Sequence, residues 1–248
     1  MKPLKYTVAA LAILAAASFS SSAMAASTGD LLLGLENSST SLEFDLGAFS
    51  TLTSGETFNL GTNIETTLGN GTLTWDIAAT GLAVGAQSGG LNAKEVAFTA
   101  TSIGTIPATN PTAPITNLNA ETNGFSGGTA VTSGTSSNGT AFSAVTLANS
   151  NASSFAFNLA ANGGNYGFGS SAGTFGDSFP DTASITLYDK KSGAGTTPVV
   201  AGTFQVSVVG GNDILTFDPV AAPEPSAYAL GICAVALFFV LRRRSTVA

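Results

Sequence analysis

Histidine does not occur in this chain, and cysteine occurs once. Without histidine there is no Ser-His-Asp or Cys-His triad and no His-ligated zinc. The commonest general base near neutral pH is missing too. The single cysteine, Cys233, allows no intramolecular disulfide and no multi-cysteine zinc site. A lipoprotein would carry its cysteine just behind the signal peptide, and none is there. Charge is also scarce: 9% of residues are charged, against about 25% in an ordinary soluble domain. Of the 8 lysines and arginines, Lys2, Lys5, Arg242, Arg243 and Arg244 sit at the ends of the chain. Only Lys94, Lys190 and Lys191 oppose the 15 acidic residues, which all lie between Asp30 and Glu224. So acidic a body offers no footprint for phosphate backbones, which excludes nucleic acid as an expected partner.

What is present is apolar material, at 44% of residues. That is enough to build a core, and disorder, which needs low hydrophobicity with high charge, is not expected. The surface must then be made of Ser, Thr, Asn and Gly.

The first residues, MKPLKYTVAALAILAAASFSSSAMA, have the mechanics of a secretory signal. Lys2 and Lys5 make a positive start, Val8 to Ala17 a short apolar stretch, and Ala23-Met24-Ala25 the small-x-small pattern before a cleavage site. Cleavage is expected after Ala25, leaving Ala26 as the mature N-terminus.

At the other end stands PEPSAYALGICAVALFFVLRRRSTVA. Ser226 to Leu241 are 16 residues without charge, a helix of about 24 Å at ~1.5 Å per residue. That is slightly short of a ~30 Å hydrocarbon core. Eight of the 16 are Leu, Ile, Val or Phe, which together favour insertion by about 2–5 kcal/mol. Arg242, Arg243 and Arg244 would cost about 3 kcal/mol each at the bilayer centre, so they act as a membrane stop. Positive-inside bias puts them in the cytoplasm and the body outside. Pro223 and Pro225 hold the preceding segment extended, as a membrane-embedded processing enzyme requires.

These three ordered features resemble the PEP-CTERM sorting signal, with the motif at Pro223, Glu224 and Pro225. The same kind of tail also carries the label of an ice-binding protein C-terminal domain. The resemblance implies processing by signal peptidase and then by an exosortase, in an exopolysaccharide-making bacterium with an outer membrane. DLLLGLENSSTSLEFDLG and SITLYDKKSGAGTTPVVAGTFQVSVVGGNDILTFDP also resemble the opening and closing strands of bodies that precede such tails.

The body reads β throughout. Leu42, Phe44 and Leu46 alternate with Glu43 and Asp45, and GTLTWDIAATG alternates through Leu73, Trp75 and Ile77, the period of half-buried strands. KEVAFTATSI, SSFAFNLA, ASITLYD, GTFQVSVV and DILTFDP are further strands, the last two joined by a tight Gly210-Gly211-Asn212 hairpin. PATNPTAP, from Pro107 to Pro114, reads as a loop or soft boundary. The Gly/Ser/Thr-rich stretch from Asn123 reads as a loose insertion or weak edge strands. No useful helical periodicity stands between the ends. The expected fold is all-β: an antiparallel β-sandwich or jelly-roll-like body, with an N-terminal signal helix and a C-terminal transmembrane helix. The expected organisation is signal peptide 1–25, extracellular domain 26–220, linker 221–225, membrane helix 226–241 and cytoplasmic tail 242–248.

Candidate chemistry is thin. Glu43 and Asp45, two apart, share one strand face, and a solvated face is expected for them. Asp177, Asp181, Asp213 and Asp218 could converge on Ca²⁺, though no known calcium-loop spacing is present and solvated loops are expected. Trp75 is expected in the core, while Tyr166 and Phe168 are expected to be exposed, where they could stack on sugars. Thr72 and Thr74 hint at a flat threonine ladder, but no tandem repeat supports one. Asn37, Asn70, Asn138 and Asn151 begin glycosylation sequons. The expectation is a protein without catalytic site, cofactor or metal: a surface or matrix protein of structural or adhesive type, with exopolysaccharide as a candidate partner. A carbohydrate-binding module of the same fold is the alternative. A polysaccharide hydrolase is a more distant one, needing two carboxylates about 5–9.5 Å apart across a cleft.

Overall fold

Alternation of side chains shapes the first strands. In β1 (Asp30–Glu36) and β2 (Thr40–Ala48), Leu31, Leu33, Leu35, Leu42, Phe44 and Leu46 all enter one apolar cluster. The two strands pair antiparallel, with Leu33 opposite Phe44 and Gly34 opposite Glu43. The same rule places Trp75 and Ile77 of β4 (Leu73–Thr80) in that cluster, so Trp75 is core as its alternation suggests. These strands belong to a computed structural model that describes residues 26–69, 73–82, 87–101, 103, 112–160, 163–166, 177–179, 184–191 and 197–220.

The other strands are β3 (Glu56–Gly61), β5 (Val96–Ala100), β6 (Thr129–Thr135), β7 (Ala141–Ala148), β8 (Asp177–Phe179), β9 (Ile185–Lys190), β10 (Val199–Val209) and β11 (Asn212–Pro219). Among the described residues they form one antiparallel sheet, ordered β3-β11-β10-β9-β5-β4-β1-β2-β7-β6, with β8 beside β4. The body is therefore mostly antiparallel β, as expected, but it is one sheet curled on itself and not two stacked sheets. The ends of the sheet nearly meet. The Ser137 N–H donates to the Thr57 carbonyl at 2.9 Å, and the Thr57 N–H donates to Ser137 Oγ at 3.0 Å. Glu56 ties the same seam by accepting from Ser136 Oγ at 2.5 Å. Curling brings one face of every long strand inward, and the interior fills with Leu, Phe and Trp75.

Gly210 and Gly211 join β10 to β11 with φ of +61° and +83°. Two consecutive positive φ values match the right-handed twist of a hairpin and favour glycine. This is the tight turn expected there.

Three helices were not expected: α1 (Asn63–Leu68), α2 (Thr112–Phe125) and α3 (Phe155–Ala160). α1 adds Ile64 and Leu68 to the interior. α2 and α3 lie on the outside of the sheet, where Ile115, Leu118, Phe155 and Leu159 pack against Ala78, Val96 and Phe98. The helix α2 occupies the end of the stretch read as a loop, and α3 occupies SSFAFNLA, read as a strand. The stretch from Asn123 forms the end of α2, then β6 at the edge of the sheet and β7 inside it.

A candidate functional site beneath the helical layer

Ala23, Ala25, Pro223, Glu224, Pro225, Arg242, Arg243 and Arg244 lie outside the described residues, as do the signal and membrane segments. Ala26 is described and packs against Leu32, Phe125 and Val145. Among the described residues no helix is long and apolar enough to cross a membrane.

Two expectations are corrected. Tyr166 is buried, 1% exposed, because its ring packs under α2 with Ile115 and Phe155; it is no exposed sugar platform. Phe168 lies outside the described residues. Glu43 and Asp45 are not solvated either. They point to the outer face of β2, but both are buried, Glu43 0% exposed beneath the start of α3 and Asp45 5% exposed beside Leu32.

The described aspartates of the set proposed for calcium lie on different strands or at opposite ends of one. Asp177 opens β8, opposite Trp75. Asp213 and Asp218 stand near opposite ends of β11, the first buried and the second exposed. Asp181 and Thr72 lie outside the described residues. Asp213 instead meets the Glu65 carboxyl, and burial first, then that acidic neighbour, pushes it up to about 6. Among the described residues no group of three or more His, Cys, Asp or Glu is placed to hold a metal ion. Of the sequons, Asn138 and Asn151 are exposed, Asn37 is half-buried and Asn70 is outside the described residues. The Asn37 amide is already committed, donating to the Leu68 carbonyl at 3.0 Å.

The site that the sequence did not reveal lies between sheet and helices. Gly34 of β1 is flanked by Glu43 of β2 on one side and Asp76 of β4 on the other, so both carboxyls rise from one row of the outer face. Glycine is required between them because the Phe155 ring sits there: a Cβ on Gly34 would lie 2.2 Å from it. Glu43 Oε1 accepts the Phe155 N–H at 2.6 Å and Ser41 Oγ accepts the Ala156 N–H at 3.2 Å. Together they fasten the start of α3 to the sheet. Asp76 Oδ1 accepts from the Ile77 N–H at 2.7 Å and from the Thr99 hydroxyl. The buried Tyr166 hydroxyl stands near the same carboxyl and favours its ionised form. From above, α2 presents Glu121, fully buried.

The cluster is under-satisfied. Glu43 Oε2, Asp76 Oδ2 and both Glu121 oxygens have no hydrogen-bond partner among the described residues. Burial, more than any hydrogen bond, pushes Glu43 and Asp76 up to about 8. Glu121 is held well above the ordinary carboxyl value by burial first, then by Glu43 and Asp76. Tyr166 is raised by its own burial and by the same three acids. A carboxyl in such a place stays neutral and acts as a proton donor or a packed acid. Glu56 at the seam is the contrast. Burial pushes it up, but hydrogen bonds from Ser136, Thr140 and Thr53 outweigh that and hold it below its ordinary value.

No family model, no curated protein and no solved structure matches this chain.

Proposed function

We propose that this protein is exported, inserted into the inner membrane in transit through residues 226–241, and sorted by an exosortase to the cell surface or the exopolysaccharide matrix. There its body serves a structural or adhesive role and not a catalytic one. The observation that carries this reading is the ordered tail, Pro223-Glu224-Pro225, then 16 uncharged residues, then Arg242 to Arg244, on a chain that opens with an export signal. Its signal helix and membrane helix belong to the proposal. The body is compatible with it: the interior is apolar, and its last described strand ends at Pro219, with six residues between it and the uncharged run. Exopolysaccharide is the partner this reading favours.

The tail predicts two different failures. Replacing Arg242, Arg243 and Arg244 by neutral residues removes the charges that are costly to translocate. The short helix should then slip through, releasing the full-length chain. Glu224→Ala leaves insertion energetics unchanged, because that residue lies outside the bilayer. It should trap unprocessed protein in the inner membrane with its tail attached. Membrane fractionation with an antibody to the last residues separates these outcomes. If both variants behave as the parent chain does, the tail is a plain anchor and the sorting reading fails.

A further inference from the structure

We infer that the outer helices α2 and α3 are fastened to the sheet by neutral carboxylic acids, so that the pair forms a proton-operated latch that opens as its surroundings turn alkaline. The inference concerns the body alone and stands whether or not the tail is a sorting signal.

The geometry carries it. Three carboxyls from three different elements, Glu43 on β2, Asp76 on β4 and Glu121 on α2, share one buried layer, and four of their six oxygens have no partner there. The other ionisable groups on the elements around this layer are acidic or phenolic, Asp45 of β2 among them, except Lys190 of β9. Lys190 is buried, pairs with Val96 and donates to the Lys191 carbonyl at 3.3 Å. Glu36 of β1 faces it half-buried, its proton held more tightly through burial, and Tyr166 faces it from the turn after α3. Tyr188 of β9 lies to the side, stacked on Phe98 at 5.9 Å. β5 and α3 bring no titratable side chain, and β1, β2, β4, β5, α2 and α3 carry no lysine or arginine. An ionised carboxylate here would therefore be buried with no counter-charge on any of these six elements, which is strongly unfavourable. Protonation removes that penalty, and the shifts of Glu43 and Asp76 toward about 8 have the sign this requires.

Deprotonation has one easy escape. Among the described residues, Glu121 stands on an element held to the sheet by side-chain packing, whereas Glu43 and Asp76 stand on strands paired on both sides. The helices must leave before the strands do. α3 follows because it shares one apolar cluster with α2, Phe155 and Leu159 against Ile115 and Leu118, and loses that cover when α2 leaves.

Hydrogen–deuterium exchange on the full-length chain in detergent micelles, corrected for the intrinsic pH dependence of exchange, tests this. Between about pH 5.5 and about pH 8.5, residues 112–125 and 155–160 should lose about tenfold or more of their protection. Residues 73–79 should keep theirs. In E121Q, which is neutral at both pH values, the helices should stay protected at the higher one; D76N serves in its place if E121Q does not fold. The latch is overturned if wild-type helices are equally protected at both values. It is also overturned if the strands lose protection in step with the helices, or if the neutral variant opens as wild type does. A change in helical protection on adding calcium or EDTA at constant pH would assign the neutralising role to a cation and would equally overturn it.

Discussion

At the scale of single residues, the inward half of the alternation was legible and the outward half was not. Leu42, Phe44, Leu46, Trp75 and Ile77 lie inside as their spacing indicates. Glu43 and Asp45 alternate with them and so read as solvated, yet both are buried. Period-2 alternation separates two faces of a strand but does not say whether the second face meets water. Gly34 held a clue, a glycine in the middle of an otherwise apolar strand, which often marks a close approach. Here the approach is by Phe155. Gly34→Ala should therefore displace α3 and destabilise the body by about 1–3 kcal/mol, the usual cost of overpacking. Chemical denaturation would show this as a lowered midpoint, and an unchanged midpoint would mean that Phe155 has room to turn aside.

At the scale of elements, the strands and the hairpin were readable and the outer helices were not. In α2 the buried positions Pro114, Ile115, Leu118, Glu121, Thr122 and Phe125 follow helical spacing. Two of them are polar, so the apolar stripe is broken where the carboxyl layer needs it. Phe155, Phe157 and Leu159 of α3 alternate like a strand, and a short apolar run cannot be assigned by periodicity alone. The capping chemistry was the better signal: Ser154 Oγ accepts the Phe157 N–H at 3.2 Å, a helix-start arrangement. The β10–β11 hairpin was legible because Gly-Gly is a turn by mechanism. A Cβ on Gly211 would touch nothing within 4 Å, so Gly211→Ala adds backbone strain alone. It should cost about 1–2 kcal/mol, measured as a fall in the denaturation midpoint without loss of the sheet's circular dichroism.

At the scale of the molecule, the acids make stability depend on pH in an unusual direction. Glu43 and Asp76 are pushed to about 8, and Asp45 and Asp189 to about 7, in each case chiefly by burial. In the unfolded chain such carboxyls titrate near about 4. Between those limits the folded state holds more protons than the unfolded one, so stability falls as pH rises. The contribution is whole below about pH 4 and is lost as pH climbs to about 8. Glu56 works the other way, but it is one group against several. The thermal midpoint should thus be higher near pH 5 than near pH 8.5, and the reverse order in calorimetry would contradict the buried-acid picture. The sequence disclosed the acidic balance. It could not disclose that the charges are folded inward, because that depends on which face α2 and α3 cover.

The placement of the last strand also has a mechanical consequence. β11 pairs with β10 from Asn212 to Pro219 and with β3 over Asp213 to Phe217, and a further bond joins the Val220 N–H to the Ala201 carbonyl at 3.2 Å. Ladder bonds in an antiparallel sheet run across the strands. A pull on the chain beyond residue 220, directed along β11, therefore loads two rows of bonds in parallel instead of opening them one at a time. Such a strand resists as a riveted joint does, while a pull across the sheet would peel it. Single-molecule stretching between a surface-held N-terminus and the C-terminal end should register a distinct high-force rupture. Shortening the β11 ladder with Thr216→Pro should lower that rupture force.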